Sequence, residues 1–377
     1  MTGYSLGQWW SPRLVAAVAC ATLAGGVDPA TAQSLETLVE FECSTVGCAP
    51  NGRLLQARDG FFYGTASEAD YPWRGDGTVF RMDRTGQITV LLSPARFFIE
   101  GLDGFFYGTT PDGGPSGSGT VYRMDPAGNV TELYAFDGIT AGAPGPLVQT
   151  VDGLFYGIVS MPGTDVNRLF RIDDAGNLDV LRAHGAPIQN VRMLLAASNR
   201  FLYGTTYDGR VFRLNRNGHA RILALFPTVY VDLMEASDGS FYGATIDGGA
   251  SGRGTIFRMT HAGRVEVLHE FGGGPLDGAS PYEAPIEGRD GNLYGTTGSG
   301  GAFDEGTVYR MDPFGNVTVL HSFGDTPDAG SCPVGELVEG DDGALYGTTA
   351  FGGTFNHGTA FRLRLDGAEV PLSESRK

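Results

Sequence analysis

The chain has 377 residues, 59 glycines and a formal net charge of −17. Its single Lys is Lys377 and its Arg residues form no cluster, so no basic patch exists to meet nucleic acid or an anionic bilayer. The length allows a large core, and the lack of a 3.6-residue apolar period excludes a helical solenoid.

The N-terminus reads as an export signal. Arg13 precedes an apolar, small-residue stretch from Leu14 to Gly25, and Ala30-Thr31-Ala32 supplies an A-x-A cleavage site. Residues 1–32 are therefore expected to be a signal peptide cleaved near Ala32, with 33–377 as one domain in a secreted or periplasmic protein. The stretch is shorter than the roughly 20 residues of a spanning helix, and no other segment is long enough, so no membrane insertion is expected. Cys20 offers lipidation as a rival, although Ala17-Val18-Ala19 fits a lipobox poorly. Cleavage leaves Cys43, Cys48 and Cys332. A Cys43–Cys48 bridge would close a small loop, and a Cys48–Cys332 bridge would staple the first repeat to the last. Neither pairing resembles a metal site, because no CxxC pair or neighbouring His accompanies it.

From here on the chain repeats. Tyr-Gly occurs at Tyr63, Tyr107, Tyr156, Tyr203, Tyr242, Tyr294 and Tyr346, with separations of 39 to 52 residues, the period of a four-stranded propeller blade. In the sixth repeat, Pro285 to Gly288 predicts a short strand and Asp290-Gly291 a tight turn. Asn292 to Thr297 predicts a second strand, and a Gly-rich loop leads to a third at Gly306 to Met311. Asp312 to Gly315 is a second turn, before a fourth strand at Val317 to Phe323. A sheet this small must bury both faces against neighbours, which a ring achieves. The adjacent pairs Phe62-Tyr63, Phe106-Tyr107 and Phe155-Tyr156 suit that burial, and the Gly after each Tyr is expected to give the next blade room. Leu35 to Phe41 resembles a fourth strand yet precedes the first anchor, so it is expected to complete the last blade, whose own fourth strand (Ala368 to Leu372) is short and contains Pro371. The fold predicted is all-β, a seven-bladed β-propeller with four-stranded antiparallel blades closed by an N-terminal strand. A parallel β-helix is the rival.

Both turns of each repeat fall on one face of such a ring. The opposite face receives the variable loops, where function tends to reside. An Arg recurs in all seven repeats (Arg81, Arg123, Arg171, Arg213, Arg258, Arg310 and Arg362) and reads as a structural charge near Asp residues such as Asp83 or Asp125. Departures from the repeat are the better candidates. The first repeat inserts Tyr71, Trp73 and Asp76, offering flat rings and a carboxylate to a sugar; Arg74-Gly75-Asp76 also spells an integrin-binding tripeptide. Tyr282-Glu283 and Asp304-Glu305 are further aromatic or acidic insertions on this face, and His357 is a candidate catalytic residue. No metal or other cofactor is expected. Calcium at the adjacent carboxylates is the one alternative, though no loop has the D-x-D-x-D-G spacing.

The unit Asp-Gly-x-Leu/Phe-Tyr-Gly-Thr-Thr, then Gly-Thr-Val-Tyr-Arg-Met-Asp-Pro-x-Gly-Asn-Val-Thr-x-Leu, closely resembles the GloVer tandem repeat of bacterial secreted or surface proteins. The resemblance runs from about Leu35 to about Leu372, with the third and fourth copies degenerate. It implies an exported propeller and no particular activity. The anchoring segment of many relatives is not seen, so surface attachment stays open. A looser likeness to streptogramin (virginiamycin B) lyases implies fold rather than chemistry, because their His, acidic and metal-binding set cannot be matched here. The function expected is binding of an extracellular glycan or protein partner through the variable-loop face, by a monomer. The alternative is a lyase or hydrolase acting on an extracellular polysaccharide or cyclic compound at the propeller mouth.

Overall fold

The structure, a computed structural model, describes residues 34–365 apart from 51, 68–76, 96–97, 140, 162, 164–166, 182–183, 186–187, 217, 229 and 327–329. All of them belong to the unit Gln33–Lys377; residues 1–32 and the expected strand at 368–372 lie outside the described residues. Every regular element among the described residues is a strand, and the strands build seven blades around four-stranded antiparallel sheets. The blades are numbered one to seven by their Tyr anchors. In blade one the innermost strand is split into Cys48–Pro50 and Leu55–Gln56, blade four gains the short parallel strand His184–Gly185, and Gly278–Ala279 pairs with Ser299–Gly300 as a separate two-stranded ladder. In blade six the strands are Ile286–Glu287, Leu293–Thr297, Thr307–Met311 and Val317–Ser322.

The repeat sequence is a hydrogen-bonding programme. Asp290 caps its own turn by accepting the Asn292 N–H (3.0 Å) and also accepts the Tyr294 hydroxyl (2.8 Å). Tyr63–Asp59, Tyr107–Asp103 and Tyr346–Asp342 repeat that bond at 2.7–2.8 Å. Where the fourth repeat has Asn199 in place of Asp, the bond survives with its direction reversed: the Asn199 amide donates to the Tyr203 oxygen. In the second turn, Asp312 accepts the N–H groups of Phe314 and Asn316, both at 2.9 Å. The Thr residues of the repeat meet as a buried hydroxyl pair between second and third strands, Thr297 with Thr307 at 2.8 Å.

The recurrent Arg is structural, but its partners differ from those expected. Arg81, Arg123 and Arg213 lie over the rings of Phe61, Phe105 and Phe201, and Arg171 pairs with Asp179. Asp83 and Asp125 are occupied by the N–H groups of their own turns. The Gly after each Tyr also serves its own blade, not the neighbour. A Cβ on Gly64, Gly157 or Gly347 would fall 2.4–2.5 Å from the ring of Phe80, Phe170 or Phe361 on the third strand of the same sheet.

The core is divided into seven apolar clusters, and each joins residues of two neighbouring blades. At most seams the Tyr of one blade packs on the Phe of the next: Tyr63 on Phe106, Tyr107 on Phe155, Tyr203 on Phe241 and Tyr346 on Phe62, with centroids 4.1–4.4 Å apart. The last of these contacts closes the ring. Leu35–Glu40 supplies the missing fourth strand of blade seven by pairing antiparallel with Thr359–Leu363, and the fully buried Phe41 at its end stacks on Phe80 of blade one at 5.4 Å. Phe136, Phe271 and Phe323 close other seams in the same way, each by an N–H bond to a Gly and a stack on the next blade's third strand.

On the turn face a second ring of bonds crosses the seams. The N–H just before the turn Asp of one blade donates to a Glu or Gln of the next: Arg58 to Glu100, Leu102 to Gln149, Ser198 to Glu235, Ser237 to Glu287, Arg289 to Glu339 and Asp341 to Gln56. The exception is the seam between blades three and four, where the equivalent acceptor position holds Ala196 and Arg216 pairs with Asp152 instead. Replacing Ala196→Gln should give the Val151 N–H an acceptor and stabilise the protein by about 1 kcal/mol. Urea unfolding checks this, and an unchanged or lowered midpoint would count against the bond.

Candidate functional site

Tyr71, Trp73 and Asp76 lie outside the described residues. Asp304 turns its carboxylate back to the Gly300 N–H (3.1 Å), while Glu305 is exposed and holds the Cys332 N–H through its carbonyl (2.8 Å). No group of three or more His, Cys, Asp or Glu among the described residues is arranged to hold a metal. His357 accepts the Ala49 N–H with its carbonyl, and its ring stacks on Phe355. The ion pairs of the mouth, described next, do not include it. Cys43 and Cys48 form a disulfide, which overturns the Cys48–Cys332 pairing. The free thiol of Cys332 is pushed up to about 11 by burial, with the Glu305 charge adding to it.

Tyr282-Glu283 leads to a site whose other members, Arg53, Arg192, Asp232 and Glu336, the sequence reading missed. The half-buried ring of Tyr282 lies against the bare backbone of Gly298, and its carbonyl accepts Arg192 Nη2 at 3.4 Å. Arg192 belongs to a set of five charged side chains from five blades: Arg53, Arg192, Asp232, Glu283 and Glu336. Each stands ten or eleven residues before its Tyr anchor, where a connection from the preceding blade enters an innermost strand. The register of the ring therefore gathers them at the channel mouth, on the variable-loop face.

Arg53 donates to Glu336 at 3.2 Å. Arg192 lies 3.4 Å from Asp232 and 3.7 Å from Glu283, donates to the Val231 carbonyl, and stands over the Tyr230 ring at 5.4 Å. Asp232 also accepts the Ala284 N–H (3.0 Å). Glu283 and Asp232 thus stand on the same guanidinium, two carboxyl groups facing one cation. Burial, reinforced by the charge of Asp232, pushes Glu283 well above the usual carboxylate range, against the pull of Arg192. Burial also raises Glu336, with Arg53 opposing.

Exposure separates the framework from the groups that face the lumen. The side chains of Arg192 and Asp232 are only 13% and 12% exposed, whereas Arg53 keeps 53% and Glu283 36%. Arg53 is thus walled in by protein while remaining open to channel water. Tyr207 and Tyr230 form an edge-to-face pair, 49% and 38% exposed. Arg53 and Glu336 also border a channel cavity of about 380 Å³ whose wall includes Leu55, Ile286 and Val338.

The Gloeobacter/Verrucomicrobia repeat matches residues 27–219 and 208–373, and the chain belongs to that family. No curated protein matches it. Among solved structures it is similar to the extracellular domain assigned to the hybrid two component system BT3049 from B. thetaiotaomicron (13% identity, TM-score 0.62, 89% of this chain and 41% of that one). It is also similar to the oligogalacturonate lyase of Vibrio parahaemolyticus (13% identity, TM-score 0.61, 91% and 96%) and to the WD40 propeller domain of Doa1 (13% identity, TM-score 0.57, 89% and 99%). At these identities the likeness is one of fold.

A raised carboxyl pKa means that the folded state holds the proton more tightly than the unfolded chain. That contribution to stability is complete below the unfolded carboxyl pKa and is lost as pH rises through the folded one. Glu283→Gln removes the ionisation, so the melting temperature of the variant relative to wild type should rise between about pH 4 and pH 8. A difference that stays constant with pH would show that Glu283 titrates like an exposed carboxyl.

Proposed function

We propose that this is an exported propeller that binds a polyhydroxylated ligand, a glycan or the glycan of a cell-surface partner, at the channel mouth on its variable-loop face. One observation carries the reading: the two guanidinium groups, three carboxyl groups and exposed Tyr pair that converge there from different blades. Carboxylates accept from sugar hydroxyls, guanidinium groups donate to them, and Tyr faces cover the apolar side of a sugar ring. The Cys43–Cys48 disulfide supports export, because such bonds persist in oxidising compartments. Among the described residues no helix is long and apolar enough to cross a membrane. In this reading the Tyr71–Trp73–Asp76 loop extends the binding face beyond the mouth.

The second reading, a lyase or hydrolase at the same mouth, is favoured by the Asp232–Glu283 pair, since a carboxyl that retains its proton beside a carboxylate is a general-acid arrangement. The similarity to an oligogalacturonate lyase lends it support at the level of fold.

A glycan array probed with wild type, Tyr207→Ala and Trp73→Ala tests the binding reading. Loss of the exposed Tyr207 ring should weaken the captured glycan about tenfold, on the order of 1 kcal/mol. Binding that survives both substitutions unchanged would rule out an aromatic platform on this face.

A further inference from the structure

The two guanidinium groups of the mouth are not equivalent. The terminal nitrogens of Arg192 are directed at two carbonyls and two carboxyls, and its side chain is nearly enclosed. Arg53 makes one described ion pair, from Nη1 to Glu336, and more than half of its side-chain surface faces the lumen. A guanidinium offers five donors in a planar fork that matches a carboxylate, so Arg53 has an edge to offer a ligand.

We propose that the mouth selects saccharides bearing a carboxylate, that Arg53 receives that carboxylate, and that one proton is taken up with the ligand. This inference rests on the glycan reading above and narrows it to acidic sugars.

An anion entering beside Asp232, Glu283 and Glu336 would ordinarily be repelled. Two features remove the repulsion. Asp232 and Glu283 both lie beside Arg192, at 3.4 and 3.7 Å, and burial next to the Asp232 charge raises Glu283, so the pair tends toward the single negative charge that Arg192 balances. Glu336 is the remaining anion of the mouth; burial raises it, Arg53 opposes, and Asp232 and Glu283 are the neighbouring carboxyls. When a ligand carboxylate takes the Arg53 fork, Glu336 loses its counter-ion and takes a proton from solvent. The site before binding holds two cations and two anions. After binding it holds the same two cations, Asp232 and the ligand carboxylate. Charge is conserved, with one proton consumed per ligand. Of the nearby phenols, Tyr230 presents its ring to Arg192 and pairs edge-to-face with Tyr207, and burial raises Tyr282. The cavity bordered by Arg53 and Glu336 has the size of a small-molecule pocket, which runs from about 300 Å³ upward; its other charged lining, Glu287, Arg289 and Glu339, is engaged in the seam bonds of the turn face.

Calorimetric titration with galacturonate, glucuronate and mannuronate trisaccharides, each beside its methyl ester, tests the proposal. The ester keeps the sugar rings and removes the charge. At least one acid should bind more tightly than its ester at about pH 5 and weaken by up to tenfold per pH unit above the Glu336 pKa, with uptake of one proton read from the buffer dependence of the heat. Glu336→Gln should abolish the proton uptake and hold the acid at about pH 8. Arg53→Gln should erase the preference for acid over ester while leaving ester binding within about threefold. Equal binding of acid and ester, or an acid preference that survives Arg53→Gln, overturns the proposal. Binding of esters or neutral glycans alone overturns it while the glycan reading stands. Wild type that is folded by circular dichroism and binds none of the sugars, on the array or by calorimetry, removes both.

Discussion

The Tyr of one blade against the residue that precedes the next blade's Tyr is the contact on which the ring depends. Phe stands in that place at four seams and Leu202, Leu293 and Leu345 at the others. A blade of four short strands has too little area to bury its own faces, so its apolar side chains are satisfied only by neighbours. The Phe-Tyr dipeptide meets this need with one residue facing each way: in blade two, Phe106 packs on Tyr63 behind it and Tyr107 on Phe155 ahead. The bond from each Tyr hydroxyl to the turn Asp fixes the height of the ring system, so successive seams repeat at the same level. Because the seams run in a circle, the last must be made by residues far apart in sequence. Leu35–Glu40 and Phe41 accomplish this by occupying the fourth-strand position of blade seven and stacking on blade one.

The same constraint creates the mouth. Once seven blades share one register, a position equivalent in each repeat becomes a position on a circle. Arg53 and Glu336 are 283 residues apart in the chain and 3.2 Å apart in space. The charged groups are held by neighbouring blades, as when Asp232 of blade five accepts the Ala284 N–H of blade six, so their placement costs little reorganisation when a ligand arrives. Enclosure within the channel strengthens electrostatic effects that would be weak at an open surface. Burial raises Glu283 and Glu336, whereas exposed turn carboxylates such as Asp83 and Asp312 are lowered by their own local hydrogen bonds.

Much of this fold is legible in the repeat, because a blade is a local object. Asp-Gly turns, Thr pairs and alternating apolar residues act within a few residues of one another or across one hairpin, and their pattern predicts the strands of blade six to within a residue or two. The clasp was legible too, as a fourth-strand pattern out of place at Leu35 to Phe41. The role of the Gly after Tyr was not, since which ring lies over it depends on how the third strand of the blade pairs. The site was harder still. Reading for unusual loops drew attention to Tyr282-Glu283, which stands at the mouth beside Arg192, and equally to His357 and Asp304-Glu305, whose described contacts are with their own loops and nearest neighbours. The five mouth residues stand at the ragged junction of a connection and an inner strand, where offsets of ten and eleven residues blur any column.

From its sequence alone the chain determined the blade, the number of blades and the means of closure, because each follows from short-range turn chemistry repeated seven times and from one displaced strand. Only the tertiary structure decided which charges meet, which cysteines pair and which carboxyl keeps its proton. Those outcomes depend on distances between blades and on the walling-in of the channel mouth by protein, and neither exists until the ring has closed.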